Sequence, residues 1–396
     1  MGSPLTRRAF LQAVGGAAAL AACGGGGSGP PTSPGVVGTA PIDPDLPIER
    51  GAALRIYQWR DYLAPEVVSS FVDRHASYGI DVRVESFTTI PEAVARLRAA
   101  DGDFDVVFPT MEALDGLARE GLLRPLTHEL LPNGRNLWPF FRAGPFYDPE
   151  QRYSVPYTVY STGIGWRRDL VDEAAAPSLL DNPYDAFWDP RYRGAVGIYD
   201  DYREALALAL LRRGVDPNTG EAATLERAVD DLIEMASVVE VEVSAEGAYE
   251  ELQSGEYAVQ QSWSGDLLSA KRFGSSLPQD AGAVAYTWPT GGIVGCDLTA
   301  ICARGRSPVL AHAFLDHLMD EEIALRNFAW NGYQPPIGAA EPEALRTSRW
   351  AGIVPANLRA TILGPDDLTT GRFLVRLAPE VEARWRIGWQ RFLDAV

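Results

Sequence analysis

Acidic side chains placed beside aromatic ones are the chemistry this sequence offers. Asp297 is the lone acid in the apolar run from Ile293 to Cys302. A carboxylate there is hard to place unless it faces a cleft or a partner. Asp201 and Glu204 stand three apart at a predicted helix start, which puts both carboxylates on one side. The same Asp-x-x-Glu spacing is a capping pattern, and a carboxylate committed to backbone N–H groups has less left for a ligand. Trp59, Asp61 and Tyr62 follow the first predicted strand, at its carboxyl end. Thr110 ends another strand and precedes a helix, where a small hydroxyl also serves as N-cap. Trp263 follows a strand and precedes Gly265, a plausible loop position. No P-loop, G-x-S-x-G, H-E-x-x-H or dinucleotide glycine signature stands where it would have to. Of the four histidines, His312 and His317 are five apart on a predicted helix, a poor metal pair. The only enzymatic reading left is a hydrolase using cleft carboxylates.

The elements that position these residues come from a chain of 396 residues, enough for two domains with real cores. Its formal net charge is -18, which argues against a nucleic-acid partner. Such a field steers positive ligands, although acidity also serves solubility alone.

The first residues carry a different message. Arg7 and Arg8 precede an uncharged apolar run, Ala13 to Ala22, that ends at Leu20-Ala21-Ala22-Cys23. A basic start, a short apolar stretch and small residues describe a signal peptide over residues 1–22. The run is shorter than the roughly 20 residues that span a bilayer. Arg7-Arg8 resembles the twin-arginine export signal, and Leu-Ala-Ala-Cys resembles the lipobox of bacterial lipoproteins, which implies lipidation of Cys23. Cleavage would remove two arginines and no acid, leaving the mature chain more acidic still. Residues 23–50 are rich in Gly and Pro and read as a flexible tether. Cys296 and Cys302, on one predicted strand, would lie about 20 Å apart and stay unbonded.

From Leu54 onward strand-like and helix-like segments alternate without an internal repeat. Leu54 to Tyr57, Ile80 to Ser86, Phe104 to Phe108 and Val196 to Tyr199 read as strands, with helices Pro65 to His75, Pro91 to Ala100, Met111 to Glu120 and Glu204 to Arg213. This predicts an α/β fold of two lobes, each a mostly parallel sheet flanked by helices, with a ligand cleft beyond the strand ends. The expected lobes are residues 51–157 with 297–340, and 158–296 with 341–396.

Several stretches resemble the spermidine/putrescine-binding proteins of bacterial ABC importers. They are Ile56-Tyr57-Gln58-Trp59-Arg60-Asp61-Tyr62, Asp103-Phe104-Asp105-Val106-Val107-Phe108-Pro109-Thr110, Phe187-Trp188-Asp189-Pro190-Arg191-Tyr192-Arg193-Gly194, Asp200-Asp201-Tyr202-Arg203-Glu204, Trp288-Pro289-Thr290-Gly291-Gly292 with Asp297, and Gly332-Tyr333-Gln334-Pro335-Pro336. They keep the family's order over nearly the whole mature chain. The resemblance implies a type II periplasmic-binding fold and hinge closure on a polyamine, followed by delivery to permease subunits. It implies no metal, no cofactor and no catalysis, and a monomeric carrier held at the membrane by its lipid.

A polyamine needs carboxylates at its ammoniums and aromatic faces along its methylenes, each worth roughly 0.5–2 kcal/mol. By resemblance, Trp59, Tyr62, Trp263 and Tyr333 pack on the ligand chain. Asp61, Asp201, Glu204 and Asp297 take its amines, Asp297 centrally, and Thr110 adds a hydroxyl. Three positions depart from the pattern. Gly295 stands where the family has tryptophan, Arg60 where a neutral residue is usual, and Glu112 where tyrosine is common. Loss of the tryptophan is expected to open space. Arg60 keeps other solutes in view: an aminophosphonate, an opine-like zwitterion or iron(III).

Overall fold

The computed structural model describes residues 40–99, 103–244, 248–273 and 282–396. The expected signal segment, Cys23 and the start of the tether lie outside the described residues. The strands are β1 (Ala53–Trp59), β2 (Asp81–Phe87), β3 (Val106–Val107), β4 (Leu123–Arg124), β5 (Ser154–Arg167), β6 (Val196–Tyr199), β7 (Glu242–Ser244), β8 (Val259–Trp263), β9 (Val284–Thr287) and β10 (Ile293–Cys302). They join in one sheet of order β2-β1-β3-β10-β5-β8-β6-β7, with β4 on β10 and β9 on β5.

The outer strands are parallel, as the β–α alternation predicts: β1 pairs with β2 and β3, and β6 with β7 and β8. The centre is antiparallel, where β10 pairs with β3, β4 and β5, and β5 with β8 and β9. The reason is connectivity. β5 and β10 run from one half of the molecule into the other, and two neighbouring crossings in opposite directions pair antiparallel. Each half then has its own apolar core. One gathers Phe71, Phe108 and Phe314; the other gathers Phe187, Leu206 and Trp385.

The two cores divide the chain differently from the expected lobes, since Leu252, Leu267 and Tyr286, from the stretch 158–296 assigned to the second lobe, pack in the first core. Leu345, Leu358, Leu363 and Leu368 pack in the first core, although residues 341–396 were assigned to the second lobe. Only the end of the chain, with Trp385, Trp389 and Phe392, reaches the second core. Within the stretch expected to be a tether, Ile42 and Glu49 are bonded to the folded part. The Thr127 hydroxyl donates to the Ile42 carbonyl at 2.9 Å. The Glu49 carboxylate accepts from the N–H groups of Val309 and Leu310 at 3.0 and 2.9 Å. A carboxylate at that helix start satisfies otherwise unpaired donors and meets the positive end of the helix dipole.

Cys296 and Cys302 are buried and unbonded. His312 and His317 are packing residues. The Thr127 N–H donates to His312 Nε2 at 2.9 Å, and His317 Nε2 lies 3.1 Å from both Ser70 Oγ and the Val67 carbonyl.

The loop after β1, which carries Tyr62, is pinned from the helix Glu321–Asn331. Asn327 Oδ1 accepts from the Ala64 N–H at 2.9 Å, and its Nδ2 donates to the Tyr157 hydroxyl at 2.6 Å. Tyr157 in turn donates to the Tyr62 carbonyl at 2.6 Å, which Asn331 Nδ2 also meets at 3.0 Å. Asn327→Ala would leave a buried N–H and a buried hydroxyl short of partners. The expected loss of stability is roughly 2–4 kcal/mol, read as a lower urea midpoint at unchanged slope. An unchanged midpoint would mean that the loop does not depend on this side chain.

Candidate ligand site

The site forms where β10 crosses the sheet. All ten residues of β10 are buried, Asp297 among them at 8% exposure. Its register against β5 shifts between Asp297, opposite Thr158, and Leu298, opposite Pro156. The extra residue on β5 is Tyr157. A bulge of this kind bends a strand and re-aims its side chains. It falls at Pro156, which has no N–H to give the ladder. Asp297 also bridges to Thr110 beyond β3. The Tyr62 hydroxyl donates to Asp297 Oδ2 at 2.6 Å, so the Thr158 hydroxyl, 2.5 Å away, donates to Tyr62.

Glu204 enters from the opposite half. It lies in the first turn of the helix Tyr202–Arg212, which follows the carboxyl end of β6. Its Oε1 accepts from Trp263 Nε1 and from the Thr162 hydroxyl, both at 3.1 Å. Its Oε2 is buried without a hydrogen-bond partner among the described residues. Glu112, in the first turn of the helix Met111–Arg119, takes a hydrogen bond from the Thr110 side chain. Arg203 is the nearby cation, acting on Glu112, and both terminal nitrogens of its guanidinium are engaged elsewhere. It donates to the Val375 carbonyl at 2.8 Å and Asn218 Oδ1 at 2.7 Å, and lies over the Trp385 ring.

Aromatic rings wall this acidic space. Trp263 stacks on Tyr199 with centroids 4.2 Å apart. Tyr333 stands edge-on to Tyr62 at 5.2 Å and to Tyr160 at 6.2 Å, and Tyr160 faces Trp263 at 6.3 Å. Asp266 is the anchor behind the wall, accepting from the hydroxyls of Tyr333 at 2.6 Å and Tyr199 at 3.2 Å. Gly265 lets Tyr333 lie there, because a β-carbon on it would fall 2.5 Å from the ring.

Of the residues singled out from the sequence, the structure brings together Tyr62, Thr110, Glu204, Trp263, Asp297 and Tyr333. Asp201 stands at the rim. It is exposed and caps the helix through Oδ1, which accepts from the N–H groups of Arg203 at 2.8 Å and Glu204 at 3.1 Å. The two acids of the pair thus divide: Asp201 caps the helix with Oδ2 left over, and Glu204 turns into the site. Asp61 is exposed, at φ 54°, and makes no hydrogen bond among the described residues. Trp59 packs on Phe87 at 4.7 Å, and its buried Nε1 has no partner. Thr110 begins its helix without a side-chain capping bond. Glu112, Tyr160 and Asp266 were not counted as site residues. Glu112 and Asp266 share a legible signal, an acid in the first turn of a helix that follows a strand. Tyr160 had none, since its strand was not recognised.

Arg60 and Gly295 also read differently in place. Arg60 is exposed, and its charge acts on Glu92, whose pKa is lowered first by the Thr88 N–H and in part by Arg60. The space expected at Gly295 is filled by the Tyr160 ring.

Burial dominates the electrostatics. It pushes Asp297 and Asp266 up to about 6, Glu112 to about 7 and Glu204 to about 8. The Tyr62 hydrogen bond holds Asp297 back, while Asp201 pushes Glu204 further up. A carboxyl raised on folding holds its proton more tightly in the folded state. That state then carries extra protons above the ordinary carboxylate range, so stability falls as pH rises through the raised value. These groups should lower the melting temperature of the ligand-free protein between about pH 5 and pH 8. The drop should shrink in Glu204→Gln. An identical pH profile for the two proteins would refute the burial of that charge.

With this geometry in view, comparison with known proteins is specific. The family model for bacterial extracellular solute-binding proteins matches residues 70–351. The spermidine/putrescine-binding periplasmic protein of Escherichia coli is 28% identical over 289 residues, 72% of this chain and 78% of that protein. The crystal structure of the spermidine/putrescine ABC transporter substrate-binding protein PotD from Streptococcus pneumoniae superposes with a TM-score of 0.71 at 21% identity, covering 87% of this chain and 99% of that one. The TpPotD lipoprotein of Treponema pallidum gives 0.71 at 19% identity, over 86% of this chain and 99% of that one. The fold is therefore that of the PotD-type periplasmic binding proteins, and this chain belongs to the bacterial extracellular solute-binding protein family.

Proposed function

We propose that this protein is the substrate-binding component of an ABC importer, that its cargo is a polyamine of the spermidine/putrescine class, and that it performs no catalysis on it. The carrying observation is the buried Oε2 of Glu204, which has no hydrogen-bond partner among the described residues, in a site shared with Asp297 and Glu112. An ammonium supplies both the missing charge and the missing donor. Trp263, Tyr333, Tyr62 and Tyr160 offer the apolar faces that a methylene chain needs. Ring and carboxylate come from both halves, so the ligand itself holds them together, as hinge closure requires. Asp201, Asp61 and Trp59 belong to the rim in this reading. The zwitterion reading loses its support with Arg60, which lies on the surface beside Glu92, and iron(III), itself a cation, draws none from an arginine.

The relatives named as spermidine/putrescine-binding proteins support the same cargo. Isothermal titration should give micromolar or tighter binding of spermidine or putrescine, and no binding of iron(III)-citrate or aminoethylphosphonate. Polyamines failing to bind at micromolar levels would sink the reading. Asp297→Asn and Glu204→Gln should each weaken binding about tenfold or more while the protein stays folded. Retained affinity in both would remove the carboxylates from the mechanism.

The same reading places the protein outside the cytoplasm, exported through its twin arginines and tethered by lipid on Cys23, where it docks on its permease as a monomer. Replacement of Cys23 by Ser should move the mature protein from the membrane to the soluble exported fraction. Membrane retention of that variant would exclude the anchor.

A further inference from the structure

Tyr160 is one of four rings offered to the ligand, yet its position is singular. It sits on β5 directly opposite Gly295 on β10. Paired residues of an antiparallel ladder put their side chains on the same face, so the ring lies across the backbone of Gly295. A β-carbon on residue 295 would fall 2.3 Å from Tyr160 Cζ and 2.5 Å from its hydroxyl oxygen. The two positions are therefore mutually exclusive. A side chain at 295 and the Tyr160 ring in this orientation cannot coexist.

The ring also completes the aromatic wall. Its neighbours are Trp263 and Tyr333, each edge-on at 6.3 and 6.2 Å. The hydroxyls of Tyr62, Tyr199 and Tyr333 are each committed to a carboxylate. The Tyr160 hydroxyl makes no hydrogen bond among the described residues, and its ring is half-buried. Asp297, Glu112 and Glu204 all act on that hydroxyl, adding to burial in driving its ionisation well up, so it stays a neutral phenol. A neutral phenol among carboxylates can accept from an ammonium and donate to a carboxylate at once.

We propose that Tyr160 contacts the ligand and determines specificity: its ring takes over from β5 the wall that a side chain at position 295 would supply from β10, and so limits the length of amine the site accepts. This rests on the polyamine reading above. Removing the ring leaves Gly295 uncovered and lengthens the space between the carboxylates. Short diamines then lose their apolar face, while a longer tetraamine fills the added room.

Titration of putrescine and spermine into wild type, Tyr160→Phe and Tyr160→Ala tests this. Tyr160→Ala should weaken putrescine about tenfold and raise the spermine-to-putrescine affinity ratio by a similar factor. Tyr160→Phe keeps the ring and should hold the wild-type ratio while both amines weaken together through the lost hydroxyl, and an unchanged melting temperature of Tyr160→Ala checks that the fold tolerates change there. Gly295→Ala should weaken putrescine through its clash with the ring, and should have no further effect in the Tyr160→Ala background. A wild type that binds no amine would sink the polyamine reading and this role with it. Wild-type binding with an unchanged ratio in Tyr160→Ala, or a Gly295→Ala effect that persists without the ring, would overturn the role of Tyr160 alone.

Discussion

Asp297 is an acid on a strand whose every residue is buried, and Tyr62 is its one hydrogen-bond donor among the described side chains. Taking a carboxylate out of water is unfavourable by several kcal/mol unless charge or donors return. A protein can meet that cost with an arginine, with a proton, or with a ligand. Here the arginine is withheld, because Arg203 is turned toward Val375, Asn218 and Trp385. The proton is a partial answer, visible in the raised pKa values of Asp297, Glu112 and Glu204. What remains is a demand for an external cation, and the selectivity of the site follows from leaving it unmet.

That demand could not be concentrated at one point without the crossing of β5 and β10. Thr158, Tyr160 and Thr162 lie on one crossing strand and Asp297 on the other. The other contributors stand at or just past the carboxyl end of a strand, except Tyr333, which follows the helix Glu321–Asn331. Tyr62 follows β1, Thr110 and Glu112 follow β3, Glu204 follows β6, and Trp263 ends β8. Open α/β sheets gather ligand sites at such ends. An ion pair of 2.8 Å between Asp115, on the helix Met111–Arg119, and Arg376, beside the second core, spans the same divide. It is exposed and contributes little, so the arrangement of the two halves does not rest on it.

The sequence showed the parallel outer strands well. Val196–Tyr199 and Ile293–Cys302 are found with the bounds read from their apolar runs, and the helices near residues 65 and 111 shift by a residue or so. These are segments where periodicity and end signals agree. The long strand Ser154–Arg167 was missed. It contains Pro156, Gly163 and Gly165, and it is buried on both faces, so no alternation survives to mark it. The helix Pro379–Leu393 was not drawn either, although Trp385, Trp389 and Phe392 recur at helical spacing. At the site, acids on strands and helix starts were visible, but the rings they face were only half visible.

The departures show why. Gly295, Arg60 and Glu112 each look like a loss or a conflict when taken as single positions. Each is answered by a residue on a neighbouring element. Gly295 is covered by Tyr160 from the paired strand, Arg60 acts on Glu92 across the β2 loop, and Glu112 is held by Thr110 beside Asp297. A missing side chain on one strand is no opening when the facing strand sends a ring into the space. Pairing partners 135 residues apart, such as Tyr160 and Gly295, are set by register, and register here passes through a bulge. Reading a binding site position by position therefore recovers its charges, which must come from particular residue types. It misreads its walls, because an apolar surface can be supplied from either side.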